Sequence, residues 1–290
     1  MTTLAAGLAA ARLLGAAGFG HFALAQSTAG LGAALVGFGL PLTATRLVAA
    51  YRVQQPYKAY QFWHRMATVT IVGAVVSGLM AVGASRPIAT LVFGSASESA
   101  LAMGTAWWLV GMTVNNFSQG ALMGTERFRV TARWSIVRTA TVAIFLLVGL
   151  AAGGAASAVI ACAVAESVVA VPMLTHTRRL LRPPRTAAPE LVVTADFGEI
   201  FRTAIPVWGS TLSLQPALWF AQFLLAHSPY GYRSVGVFAL AQRALLAVVL
   251  VPGSVATSSL PILTERWTAG HISDFRGAAR KYARYYLWYS

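Results

Sequence analysis

Long apolar runs alternate with short polar links along this chain. The runs lie near Phe22–Thr45, Phe62–Ala84, Ala100–Met123, Thr131–Ala151, Ala155–Thr175, Phe201–Ala226 and Val235–Leu263. Each supplies the roughly 20 apolar residues that a helix needs to cross a hydrocarbon core of about 30 Å. Met1–Leu14 is apolar but short, and one more run begins at Tyr282–Tyr289. The pattern predicts an all-α, polytopic membrane protein with about eight transmembrane helices and the start of a ninth. Helices satisfy every backbone polar group internally, as lipid demands. A β-barrel would need short segments of alternating polarity, a pattern the sequence does not show.

A repeat lies within this pattern. Gly20-His21-Phe22-Ala23-Leu24-Ala25-Gln26 recurs as Gly236-Val237-Phe238-Ala239-Leu240-Ala241-Gln242. At almost the same spacing, Leu40-Pro41-Leu42-Thr43-Ala44-Thr45-Arg46 is answered by Leu260-Pro261-Ile262-Leu263-Thr264-Glu265-Arg266. Both stretches occupy the same slot in the run order, so the repeat predicts two parallel lobes of six helices. Residues 1–178 then carry helices 1–6, 179–198 a cytoplasmic linker, and 199–290 a partial second lobe with helices 7 and 8 and the start of 9. On this spacing the first lobe would begin roughly 15–20 residues before Met1 and the second would run past Ser290. The chain thus reads as a fragment clipped at both ends.

Composition agrees with a lipid environment. The 290 residues are 57% hydrophobic and 10% charged, with a mean hydropathy of +0.65; soluble domains carry about 25% charged residues. The net charge of +14 raises the question of nucleic acid. Its distribution answers against that, because the cations gather in alternate links rather than on one face. Arg46, Arg52, Lys58 and Arg65 fill the second link, and Arg127, Arg129, Arg133 and Arg138 the fourth. Arg178, Arg179, Arg182, Arg185 and Arg202 mark the sixth, and Arg266, Arg276, Arg280, Lys281 and Arg284 the eighth. The positive-inside rule makes these links cytoplasmic, along with the N-terminus. Anionic lipid headgroups are their expected contacts. No signal peptide is evident. Cys162 lies in an apolar run and reads as packing.

Few polar groups interrupt the runs. Arg243 stands deep in its span, where a charge needs a polar cavity or a partner. It reads either as a ligand for an anionic substrate group, since guanidinium grips phosphate oxygens in pairs, or as a snorkelling cation. Glu166 lies mid-span and reads as an ion-coupling site, a counter-charge (Arg243 being one partner for it), or a protonated hydrogen-bonding group. Arg12 is an interfacial or cavity cation. Asn115, Asn116 and Gln119, and likewise Gln215, Trp219 and Gln222, fall at helical spacing. They line a cavity or bond neighbouring helices. Pro216 is expected to kink its helix, and Trp107 and Trp108 to sit in an interfacial belt. No metal-spaced His/Cys set, phosphate-binding loop or catalytic constellation is present in the sequence. Neither an enzyme nor a cofactor is expected.

Several short motifs resemble the bacterial polysaccharide, or O-antigen, flippases. These are Ala11-Arg12-Leu13-Leu14-Gly15 with Gly18-Phe19-Gly20-His21-Phe22-Ala23, Gly39-Leu40-Pro41 with Thr45-Arg46, Gln119-Gly120 with Gly124-Thr125-Glu126-Arg127-Phe128, and Val235-Gly236-Val237-Phe238 through Gln242-Arg243 with Leu260-Pro261. That family sits in the multidrug, oligosaccharidyl-lipid and polysaccharide exporter (MOP) superfamily. The resemblance implies twelve or more helices in two lobes around a central cavity, and alternating access. It also implies transfer of undecaprenyl-pyrophosphate-linked oligosaccharide out of the cytoplasmic leaflet of the inner membrane. Membrane lipids and other polysaccharide-assembly proteins are the implied partners, and Arg243 would stand at a cationic cavity position. Competing readings are a multidrug or cation antiporter, a peptidoglycan-precursor flippase, a membrane-embedded glycan polymerase or transferase, and a non-transporting fragment.

Overall fold

A computed structural model describes residues 2–183, 196–212 and 215–245, with side chains from residue 6 onward. Two contact units divide the chain, Met1–Val237 and Phe238–Ser290. The helices named below belong to the first; of the second, the described residues 238–245 are helical. In chain order they are α1 (Thr2–Gly37), α2 (Leu40–Tyr51), α3 (Pro56–Gly83), α4 (Ser85–Phe93), α5 (Ser99–Gly124), α6 (Phe128–Ala152), α7 (Gly154–Leu181), α8 (Phe197–Thr211) and α9 (Gln215–Ala226). Residues 231–245 form a further helical stretch. No strand occurs among the described residues. The repeat segment Leu260–Arg266, the eighth-link cations, Arg185 and the final apolar run lie outside them.

Among the described residues, four helices are long and apolar enough to cross a membrane: Ala6–Gly37, Pro56–Gly83, Phe128–Ala152 and Gly154–Leu181. The predicted runs from Phe62, Thr131 and Ala155 fall inside α3, α6 and α7. Two other expectations change. The run Phe22–Thr45 is not one helix: Phe38 and Gly39 both take positive φ, ending α1 and starting α2 at a new angle. α1 itself breaks at Gly15 (φ 66, ψ 175). Glycine adopts such angles without a Cβ penalty. The run Phe201–Ala226 likewise divides, α8 ending at Thr211 and α9 beginning at Gln215. Pro216 therefore stands in the first turn of α9, where its missing N–H costs nothing, rather than at a kink within one helix.

α5 is the axis of the bundle. It packs on α7, α3, α2 and α1, and both of its faces are buried. Its polar residues lower its hydropathy, but they face protein rather than lipid. α6 is the reverse: Ile136, Ile144 and Val148 are exposed, as suits a lipid-facing helix. Trp107 is half exposed, whereas Trp108 is 2% exposed and lies 5.7 Å from the Phe22 ring. Trp108 is thus a core residue and not part of an interfacial belt, because it falls on the α1-facing side of α5.

The repeat becomes a physical contact. A side chain at Gly20 would run into the carbonyl of Tyr232, and one at Gly236 into the carbonyl of Ala16. Gly20 and Gly236 are equivalent positions in the repeat, and so are Ala16 and Tyr232. The two helices therefore cross at matched glycines, each abutting the partner's carbonyl one turn upstream. Beside the crossing, the rings of His21 and Tyr232 stack at 3.5 Å, and His21 Nε2 lies 3.9 Å from Glu98.

Leucine at either position should destabilise the fold by about 1–3 kcal/mol through overpacking, with alanine less damaging. Thermal unfolding in detergent would read this out. An unchanged midpoint in both Gly20→Leu and Gly236→Leu would remove the crossing from the fold's essential contacts.

Candidate functional site

A charged cluster occupies the middle of the bundle where α5, α6 and α7 meet. Its geometry begins at Gly111 of α5, where a side chain would strike the backbone and Cβ of Glu166. The bare glycine lets α7 approach closely one turn below Asn115. Asn115 Nδ2 then donates both to the backbone carbonyl of Glu166, at 2.8 Å, and to its carboxylate.

Arg138 supplies the counter-charge. It lies ten residues into α6, roughly 15 Å along the axis at 1.5 Å per residue. Its Nε donates to Glu166 Oε2 at 2.9 Å and Oε1 at 3.2 Å, and Nη2 donates to Oε1 at 3.0 Å. This is the fork geometry that makes arginine–carboxylate pairs strong. The remaining Nη1 donates to Asn116 Oδ1 at 3.0 Å. Glu166 is 6% and Arg138 17% exposed at the side chain, so water screens the pair little. Asn115 Oδ1 is buried without a hydrogen-bond partner. One helix turn on, Gln119 donates to Ser135 Oγ of α6.

Sequence reading grouped Arg138 with the link cations and offered Arg243 as one partner for Glu166. The structure corrects the first point. Arg138 lies within α6, a helix long and apolar enough to cross a membrane, and it holds the Glu166 carboxylate. A signal existed, since four residues, Trp134, Ser135, Ile136 and Val137, carry no charge between Arg133 and Arg138. Asn115 and Asn116, adjacent in sequence, point to different helices and both serve the pair.

A second set lines the seam between α1 and α9. Trp219 Nε1 donates to Thr28 Oγ1 at 2.9 Å, and Gln215 lies against Gly30. Gln222, seven residues on from Gln215, is 5% exposed. Arg12 is exposed on α1 just before the Gly15 break. Arg243 is partly buried twelve positions into the helical stretch from residue 231, about 18 Å along it. That is deeper than the run beginning at Val235 suggested. Within the first unit the structure gathers Glu166, Arg138, Asn115 and Asn116.

The cations at the chain's basic end are tied down differently. Arg52 pairs with Glu126 and donates to the Thr125 carbonyl at 2.6 Å. Tyr51 donates to Glu199 at 2.6 Å, with Lys58 3.9 Å from the same carboxylate. These bonds join α2, α5 and α8. Among the described residues no group of His, Cys, Asp and Glu side chains is spaced to hold a metal ion.

The architecture is similar to a multidrug resistance MATE family transporter of the MOP superfamily in an inward-facing conformation. The TM-score is 0.65 at 17% identity, covering 96% of this chain and 64% of that one. The chain thus spans a little under two thirds of that transporter's length. No curated protein matches it. The profile described as polysaccharide biosynthesis protein matches residues 8–267. With that match running over nearly its whole length, this multi-pass membrane protein belongs to the polysaccharide biosynthesis protein family and has the fold of MOP-superfamily transporters.

Proposed function

We propose that the protein moves a lipid-linked oligosaccharide, its glycan joined to undecaprenyl pyrophosphate, across the bacterial inner membrane for assembly of cell-surface polysaccharide. The observation that carries this reading is the coincidence of a polysaccharide-biosynthesis profile over residues 8–267 with a transporter fold. A family devoted to polysaccharide, built as a carrier, needs a polysaccharide precursor to carry. The basic end faces the cytoplasm by the positive-inside rule, which also sets the N-terminus there. Two lobes rocking about the α1 seam would expose a central cavity to each side in turn.

The charged residues divide the work. Arg138 is already neutralised by Glu166, so it offers an incoming diphosphate little. Arg243 is the deep cation assigned to that group, with Trp219, Gln215 and Gln222 near the sugars and Arg12 near the outer mouth. Glu166 is assigned to coupling: an ion or proton arriving there would loosen Arg138 and the α5–α6–α7 junction. Only a ligand that binds the two states differently can shift their balance, and a pair joining three helices is placed to differ between them. Export of cationic compounds is the second reading, favoured by the likeness to a multidrug transporter.

In proteoliposomes, the protein should transfer fluorescent lipid-linked oligosaccharide to the outer leaflet, and Arg243→Ala should slow transfer about tenfold, as loss of one charge-assisted contact does. Transfer of cationic dye with no transfer of glycan would select the second reading. Removing one partner of the buried pair, as in Glu166→Ala or Arg138→Ala, should cost about 3–5 kcal/mol of stability. The exchange Arg138→Glu with Glu166→Arg should recover much of that cost in thermal unfolding without restoring ion-dependent transport. Full recovery of both would leave Glu166 a structural counter-charge.

A further inference from the structure

At the end of the bundle away from Arg52 and Glu126, three elements meet at one histidine. α5 ends at Gly124, beside that basic pair, so its start at Ser99 marks the opposite end. Glu98 closes the single 3-10 turn, Ala96–Glu98, that leads into it. From α1, His21 brings its Nε2 to 3.9 Å from Glu98 Oε1. Tyr232, just before the apolar run from Val235, stacks its ring on the imidazole at 3.5 Å. The orientation given by the positive-inside rule turns this end outward.

The other ring nitrogen fixes what Nε2 can do. Nδ1 lies 3.1 Å from the Ala17 carbonyl oxygen. A carbonyl only accepts, so Nδ1 donates and Nε2 keeps its lone pair. Nε2 and the Glu98 oxygen are then two acceptors face to face, and they stand apart beyond hydrogen-bonding reach. A proton taken up at Nε2 reverses this, because the ring becomes a cation and Nε2 a donor. Glu98 then attracts it directly, and the face of Tyr232 attracts it through its π electrons. The phenol itself stays neutral, its pKa pushed up to about 12 by burial and then by the charge of Glu98. The His21 and Glu98 side chains are 24% and 35% exposed, so water reaches both. Among the described residues, the other ionisable groups toward this end, Arg12, Arg86, His227, Tyr230 and Arg233, are exposed and form no ion pair with His21.

The helix crossing does not require this cluster. His21 stands where the second half of the repeat has Val237, and Tyr232 where the first half has Ala16. Valine and alanine can neither stack nor titrate, so the matched glycines serve both sides while the ring pair belongs to one. We infer that His21 is a proton-binding site that latches the outer ends of the two repeat halves together. With a proton on Nε2 it binds Glu98 while lying against Tyr232; without one the contact to Glu98 loosens. Histidine side chains change charge between about pH 5 and 8, so acid outside holds this end closed and the hold is lost as the pH rises. The inference goes beyond the proposed function, resting on a carrier whose ends open in turn and not on its cargo.

The test uses the full chain in nanodiscs, with Cys162→Ala and spin labels at Leu91→Cys on α4 and Tyr230→Cys beside Tyr232, both exposed positions. Double electron–electron resonance reads the distance between them. Lowering the pH from about 8 to about 5.5 should raise the ratio of short to long distances about threefold, the scale of a half-exposed ion pair. His21→Gln and Glu98→Gln should each abolish that change, and His227→Gln should leave it in place. Glu98 makes no side-chain cap bond to α5, so Glu98→Gln carries the test even if His21→Gln fails to fold. Distances that ignore pH, a response that survives Glu98→Gln, or one lost in His227→Gln would each overturn the latch. Glycan transfer without pH-dependent closing would overturn the latch and spare the proposed function. Closing that depends on His21 and Glu98, in a protein that transfers no glycan, would leave the latch standing and count against the proposed function.

Discussion

Lipid chains are as apolar as leucine, so burying hydrophobic surface does little to hold two membrane helices together. What holds them is close approach, which needs small residues where helices meet. α5 supplies these on opposite sides: Gly111 faces α7 at Glu166, while Gly120 and Gly124 face the backbone of α2 at Pro41 and Thr45. Thr45 Oγ1 adds a hydrogen bond to the Gly120 carbonyl at 2.7 Å. Remove the closeness at Gly111 and Asn115 no longer reaches the Glu166 backbone. The carboxylate would then lose one of the two groups that position it.

The pair at the bundle's centre is costly to build. Desolvating two charges in a medium this apolar offsets much of their attraction, and well-packed apolar residues often serve stability equally well. Its presence is therefore poor evidence of a contribution to stability alone. It gives the junction of α5, α6 and α7 a defined geometry, because guanidinium, carboxylate and two amides fit in few ways. It also gives the junction a chemical sensitivity that a leucine cluster lacks. A carrier needs both, being rigid within each state and biased between them by what it binds.

Much of the fold was legible from the sequence because the apolar runs in α3, α6 and α7 are long and uniform. The breaks were harder to read. Gly15 and Gly39 sit in apolar stretches, and hydropathy does not register a change of φ. α5 was legible as a span although its hydropathy is depressed by Asn115, Asn116 and Gln119, the residues that do its bonding. The site was half legible. Glu166 stood out as a deep acid, but its partner did not, since Arg138 follows three other arginines and its depth depends on where α6 begins. Trp108 misled because a pair of adjacent tryptophans in an apolar run resembles an interfacial anchor, and only the packing of α1 shows otherwise.

The crossing at Gly20 and Gly236 is self-complementary: each half of the repeat offers the same glycine and the same upstream carbonyl to the other. Isologous contact of this kind is the form taken by a two-fold dimer. A chain half as long could have made it with a second copy of itself. Joining the copies in one polypeptide frees each from the demand to remain identical. The repeat already shows that freedom, with Ser27 in the first half where the second has Arg243.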